Sequence, residues 1–264
     1  MNELQLSEPV LRLGIFLGTF SVFVVLEAWW PRRQLSLTRL RRWPSNVGIS
    51  LLNQLLARAF IPVSAVILAA DLAETGNGLL NSVSLPVWLD FVLALLLLDL
   101  TVYFQHVIFH KVPWLWRLHR MHHTDTDFDT TTALRFHPIE ILLSACIKLG
   151  AVWLLGASAM AVLVFEILLN AAAMFNHSNL SLPVSLDRML RLFIVTPDMH
   201  RVHHSVIRSE TDSNYGFNFP WWDRLFRTYR AQPMATHESM IIGQEDFREA
   251  REVGLDRLLT QPFR

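Results

Sequence analysis

The chain alternates long apolar runs with shorter polar stretches, and the runs are longer than a soluble helix or strand needs. Residues 10–30 are almost all apolar or small, with Arg12 near one end and Trp29-Trp30 at the other. About 20 such residues in a helix cross ~30 Å of hydrocarbon, so this segment reads as a first membrane span. A second run covers residues 47–73 and tolerates Arg58, and a third covers 87–105. Residues 139–175 are too many for one crossing at ~1.5 Å per residue, and Gly156 near their middle predicts a helical hairpin that enters and returns. The rest is polar to amphipathic, with a helix-like stretch at 184–193. The expected fold is all-α: an integral membrane bundle of about three full spans plus the hairpin, with a helical cap outside it.

Charge placement gives this bundle a direction. The segment after the first span carries Arg32, Arg33, Arg39, Arg41 and Arg42 and no acid, which marks it as cytoplasmic. The loop after the second span holds Asp71 and Glu74 but no Lys or Arg up to Pro86, as an external loop would. Lys111, Arg117 and Arg120 follow the third span on the basic side. The expectation is a multi-pass protein with its N-terminus outside and everything after His177 cytoplasmic again. The first span lacks a basic leader and a small-residue cleavage site, and is expected to stay as an anchor.

Composition changes little else. The 264 residues are 52% hydrophobic with a formal net charge of zero, so nothing suggests a nucleic-acid partner. Cys146 is the sole cysteine, which excludes an internal disulfide and a thiolate cluster; its apolar context suggests a core position. The divisions expected are membrane helices at 1–85, a central domain at 86–230 and a polar tail at 231–264.

The chemistry lies in the histidines. Ten of the eleven fall between positions 106 and 204: His106, His110, His119, His122, His123, His137, His177, His200, His203 and His204. His106 and His110 form H-x3-H where the third helix leaves the membrane, so both rings share one helical face. Two copies of H-x2-H-H follow, at His119–His123 and His200–His204, and their i, i+3, i+4 spacing turns three rings to one side of each segment. Imidazole suits zinc, copper, iron and nickel. Eight or more imidazoles exceed the needs of one four-coordinate zinc, which indicates two metals. Glu166 and Asn170 lie within about 40° of His177 on one helical face. Either they fix a liganding imidazole or they bond helix to helix. Asp99 shares the face of His106 and invites the same two readings.

These residues resemble the fatty acid hydroxylase superfamily, also called the sterol desaturase family of membrane di-iron enzymes. The resemblance rests on HVIFH from His106, HRMHH from His119, LRFHPIE around His137, FNHSNL around His177, TPDMHRVHHS around His200 and NYGFNFPWWDRLFRTY from Asn214. It covers roughly residues 90–230. It implies a cytoplasmic cap holding two iron ions that use O2 and two electrons to hydroxylate or desaturate a C–H bond of a lipid, sterol or fatty-acyl in type. Carried over by position, the ligands are the eight histidines of the three spaced motifs, then His177, with His137 either a ligand or behind one. Some relatives carry a histidine where this chain has Ala173. No nucleotide or haem motif is present, so the resemblance implies a separate electron donor, ferredoxin or cytochrome in type, and Arg117, Arg120, Arg201 and Arg208 are candidates to dock it. The aromatic loop at 217–222 is a candidate substrate contact. A membrane metal transporter or sensor is the alternative; it would place its ligands near the bilayer midplane.

Overall fold

The structure is a computed structural model that describes residues 3–264 as helices joined by turns. The helices are α1 (Glu3–Trp29), α2 (Arg39–Phe60), α3 (Ala65–Thr75), α4 (Val87–Lys111), α5 (Pro113–His123), α6 (Pro138–Leu155), α7 (Ala159–Asn176), α8 (Val184–Leu190), α9 (Pro197–His203), α10 (Arg208–Thr211), α11 (Trp221–Leu225) and α12 (Leu255–Thr260). Among these residues strand-type pairing is limited to two isolated bridges, Pro31 with Leu180 and Ser205 with Ile242.

Five apolar segments are long enough to cross a membrane: α1, the α2–α3 unit, α4, α6 and α7. Their surface is the reverse of a soluble protein's. Leu51, Leu55, Phe60, Trp153 and Leu154 are all exposed, a breadth of apolar surface that only lipid covers. Small residues fill the contacts between helices instead: Ala65, Ala69, Ala94, Ala157 and Ala161 are buried together with Leu98, Val152 and Phe165. Close approach of backbones through small residues is how helices pack where lipid removes the hydrophobic drive between them. Cys146 is exposed on this surface, not in a core, because its helix turns it away from its neighbours.

The expected hairpin is α6–α7. Its turn is closed by Gly156 in a left-handed conformation (φ 64°), which caps α6 by donating from its N–H to Val152 O. The 78–80 loop returns to the same turn, with Leu79 N and Leu80 N donating to Leu154 O and Leu155 O at 3.0 and 2.8 Å. The expected second span is not one helix. It begins earlier, at Arg39, and breaks at residues 61–64. Pro62 has no N–H to continue the ladder, and Ser64 starts α3 by accepting from Ile67 N.

With the 78–80 loop and Gly156 at one end, the chain order sends the C-termini of α1, α4 and α7 and the N-termini of α2 and α6 to the other. That end carries the cap. The turn Thr130–Leu134 is clamped there by three N-terminal residues. Arg42 is fully buried, bidentate on Asp125 at 2.9 and 2.6 Å and bonded to Asp129 at 2.6 Å. Asn46 donates to Thr131, and buried Glu27 accepts from Thr130 N and Asn179 N at 3.0 Å each. A buried pair of this kind costs desolvation, so its geometry is a specification of this one packing more than a source of stability. The segment expected as a polar tail also closes on the cap. Leu258 packs with Ile49 and Met121, and Gln261 is fully buried and accepts from Thr124 Oγ1 at 2.8 Å.

Candidate metal centre

α4 ends in His106 and His110 because its last turn carries the H-x3-H pair out of the apolar bundle. Pro113 then restarts the chain as α5, whose far end carries His119, His122 and His123. α7 terminates on His177, and α9, capped by Thr196 through Met199 N, presents His200 and His203, with His204 just beyond. The nine histidines divide into two groups. His106, His110, His119, His123 and His203 form one, and His122, His177, His200 and His204 the other; within each, one nitrogen per ring lies within 4.8 Å of all the rest. Each H-x2-H-H motif therefore splits its rings between the two groups. Every one of the nine is buried.

The rings are held from behind. His106 Nδ1 bonds Tyr215 O at 2.8 Å, His122 Nδ1 bonds Arg135 O at 3.1 Å, His177 Nδ1 bonds Ala173 O at 2.8 Å and His203 Nδ1 bonds Ser213 O at 2.7 Å. A carbonyl only accepts, so in these four Nδ1 carries the hydrogen and Nε2 is left with a lone pair. His119 Nδ1 likewise donates to Glu140 Oε1 at 2.7 Å.

The freed nitrogens converge. His177 Nε2 lies 3.1 Å from both His122 Nε2 and His200 Nε2, and His119 Nε2 lies 3.2 Å from His123 Nε2. In the His122–His177 pair both Nδ1 atoms carry the hydrogen, so two Nε2 lone pairs face each other and repel unless a cation sits between them. Two nitrogens on one metal, each ~2.0–2.1 Å from it, lie about 2.9–3.4 Å apart at angles between square and tetrahedral. His106 Nε2 and His203 Nε2 are buried with no hydrogen-bond partner, which is the expected state of ligand atoms. The donor set fits two metal ions of the imidazole-binding kind.

Burial pushes His122, His123, His200 and His204 well below the ordinary histidine range, and neighbouring imidazoles push them further. Burial also lowers His177 to about 4 and His203 to about 3. All six are neutral near pH 7, the form that binds metal.

The structure does not bring His137 to either group. It caps the N-terminus of α6, accepting from Ile139 N through Nδ1, while Nε2 meets Leu259 O at 3.3 Å. Glu166 does not reach an imidazole; it pairs with Arg12 at 2.6 Å and with Lys148. Asn170 turns back to Glu166 O. Asp99 accepts from Asn218 Nδ2 and Trp222 Nε1, each at 2.8 Å, tying α4 to the aromatic loop. Arg201 is fully buried against Asp198 and has no surface to offer a partner. The carboxylate that does orient a histidine is Glu140, three residues after His137 in the same short motif. Its place in the first turn of an apolar helix was the available signal. The carbonyls of Arg135, Ser213 and Tyr215 have no sequence signature.

A cavity of ≈ 410 Å³ opens from the histidines into the bundle between α2, α4, α6 and α7. Four imidazoles, His106, His119, His122 and His200, form its polar end, with Phe136 stacked on His122 at 4.3 Å between ring centroids. Leu98, Val102, Phe165 and Leu169 line its length, with Asn53, Gln105 and Lys148 among the polar side chains that share the wall. Of the aromatic loop only Phe217 reaches it; Trp221 is bonded to Leu192 O.

Comparison with known proteins agrees with this geometry. The Fatty acid hydroxylase family model matches residues 91–228. The chain is 30% identical over 148 residues to an ornithine lipid hydroxylase of Rhizobium tropici, covering 56% of this chain and 44% of that protein. It is 31% identical over 140 residues to the human alkylglycerol monooxygenase, covering 53% and 30%. Against the cholesterol 25-hydroxylase-like protein of Danio rerio it is 28% identical, covering 86% and 93%. The chain thus spans less than half the length of the first two relatives. No solved structure matches it significantly.

Proposed function

The chain belongs to the fatty acid hydroxylase family, and from that premise we propose that it is a membrane-bound non-haem di-iron oxygenase that hydroxylates a lipid C–H bond. The observation that carries this reading is the pair of convergent histidine groups, nine buried imidazoles with five rings locked from behind, opening on a lipid-sized cavity. The ligands assigned are His106, His110, His119, His123 and His203 for one ion and His122, His177, His200 and His204 for the other. Hydroxylation is preferred to desaturation because the relatives' names describe hydroxylases and monooxygenases. Iron is preferred to zinc because such oxygenation needs a redox metal.

When bound, the metal pair supplies activation of O2 and attack on the C–H bond. The protein does the rest. The cavity takes an acyl or sterol body along its length and stops it against His122 and Phe136, which fixes the carbon nearest the metals. Phe136 and Phe217 keep that end dry, so the oxidant meets substrate and not water. Glu140 and the four carbonyls keep the Nε2 lone pairs aimed inward between turnovers. Electrons come from a separate carrier. We place the N-terminus outside and the metal centre on the cytoplasmic side, supported by the basic residues from Arg32 to Arg42 and from Lys111 to Arg120 at the histidine end. The transporter alternative is disfavoured because the histidines sit at one end of the bundle and not at its middle.

The test is lipid mass spectrometry on cells with the wild-type protein and with His200→Ala at equal expression. A hydroxylated lipid that gains one 18O atom from 18O2 and vanishes in the variant is expected. An unchanged lipid profile, with altered cellular metal content instead, would overturn the assignment.

A further inference from the structure

The metal centre is sealed almost everywhere. Phe128, over His177 and His204, is buried beneath the buried Arg201. Among the described residues, the aromatic neighbours of the five-histidine group are closed off in the same way. Phe109 and Tyr215 are buried, and Phe136 faces the cavity. Trp116 differs. Its ring lies 4.8 Å from His110, 5.3 Å from His123 and 6.3 Å from His119 between centroids, and it is only half-buried. One indole therefore lies beside three histidines of one group and also reaches the exposed surface of α5.

The surface around it is basic. The Arg208 guanidinium lies 4.9 Å over the Trp116 ring, donates to His110 O at 3.0 Å and is 55% exposed. Lys111, also 55% exposed, shares Asp212 with it. Arg120 is one helical turn beyond Trp116 on the same face, and Arg117 is exposed beside it. Two acids lie among them: Asp212 is held by Lys111 and Arg208 and lies 3.5 Å from His110 Nδ1, and Asp246 faces Arg120. A cation over the indole face is favourable by itself; Arg117 and Arg120 also bond the carbonyls of Arg264 and Gln261, whereas Lys111 and Arg208 leave more than half of their side chains exposed.

We propose that Trp116 is the electron entry to the metal pair and that the basic face formed by Arg208, Lys111, Arg117 and Arg120 docks an acidic one-electron carrier protein. This rests on the oxygenase reading. The reaction R–H + O2 + 2 e⁻ + 2 H⁺ → R–OH + H2O takes two electrons from outside, so two reduced carriers dock in turn and each gives up one. Trp116 bridges the gap as a tunnelling medium and is unchanged at the end. Charge complementarity speeds such encounters and makes them salt-dependent.

The experiment uses full-length, iron-loaded protein in nanodiscs, reduced in a stopped-flow instrument by an acidic [2Fe–2S] ferredoxin or by dithionite. Trp116→Leu is expected to lose most of the ferredoxin-driven rate while keeping its iron and its dithionite-driven rate, and Trp116→Phe to recover part of the loss. Lys111→Glu is expected to slow ferredoxin reduction by roughly tenfold and flatten its dependence on salt. If Trp116→Leu matches wild type, or slows both reductants equally, the entry role is wrong. If the Lys111→Glu effect appears only in discs of anionic lipid and vanishes in phosphatidylcholine, the face binds headgroups and the docking role is wrong. If ferredoxin fails on wild type while dithionite reduces it, an acidic carrier is not the partner. Wild type that holds iron but is reduced by neither sinks the oxygenase reading as well.

Discussion

Glu140 and His137 stand three residues apart in one short motif and do different things. Glu140 holds the Nδ1 hydrogen of His119. Replacing it by Gln removes the carboxylate that accepts this hydrogen and aims the ring, and such partners typically matter by roughly 10–100-fold in metal affinity or activity. Metal titration of Glu140→Gln should show that loss in the five-histidine site. His137 spends its Nδ1 on Ile139 N. His137→Asn should leave the metal content unchanged, since Asn caps as well, whereas His137→Ala should lose about 1 kcal/mol of stability in a thermal melt, with the metal count again unaltered. Both residues were visible in the sequence, but spacing alone could not rank them. A histidine before a proline at a helix start is a cap or a ligand until its second nitrogen is seen to face Leu259 O. The same limit applied to Glu166. The 100° periodicity put it on the face of His177, yet two cations it could not foresee, Arg12 and Lys148, claim its carboxylate.

Among elements, the α6–α7 hairpin was legible because a largely apolar run of 37 residues, 139–175, does not fit in one crossing. Its closure was not. Gly156 and Gly78 meet backbone to backbone, and a Cβ on Gly156 would lie 2.6 Å from Asn77 O and 2.9 Å from Gly78 Cα. Gly156→Val must also hold a left-handed φ that β-branched residues resist, at a cost of about 1–3 kcal/mol before any clash. We expect a lowered melting temperature with unchanged metal content per folded chain, because the turn lies at the end of the bundle opposite the histidines. The break between α2 and α3 escaped the sequence reading because the apolar run continues through Pro62. Hydropathy reports length in lipid, not helix continuity. Arg42 was read as a topology signal alone, and its burial against Asp125 and Asp129 shows that the same charge also locks α2 to the turn behind the metal site.

At the scale of the whole molecule, the cap is held by polar contacts from distant parts of the chain, and one of them makes stability depend on pH below neutrality. Burial lowers His237 to about 4, the arginines Arg201, Arg32 and Arg191 keep it low, and Asp198 opposes them at 3.7 Å; Gln232 and the Arg33 guanidinium complete its surroundings. The unfolded chain takes up a proton near the ordinary value of ~6.5 and the folded chain does not. The contribution is therefore fully present above that value and is lost as the pH falls from ~6.5 towards 4. Melting temperatures of wild type and His237→Gln, compared between pH 7 and 5, should show the variant losing less on acidification.

The division of nine histidines into five and four was not readable from the motifs, because each H-x2-H-H serves both groups and only the folded crossing of α5 and α9 shows which ring goes where. That division is the central claim, and a metal count tests it most directly. Elemental mass spectrometry on full-length protein purified without oxygen and loaded with excess ferrous iron should find two iron ions per chain. A reproducible single ion per chain, however the protein is loaded, would contradict the account.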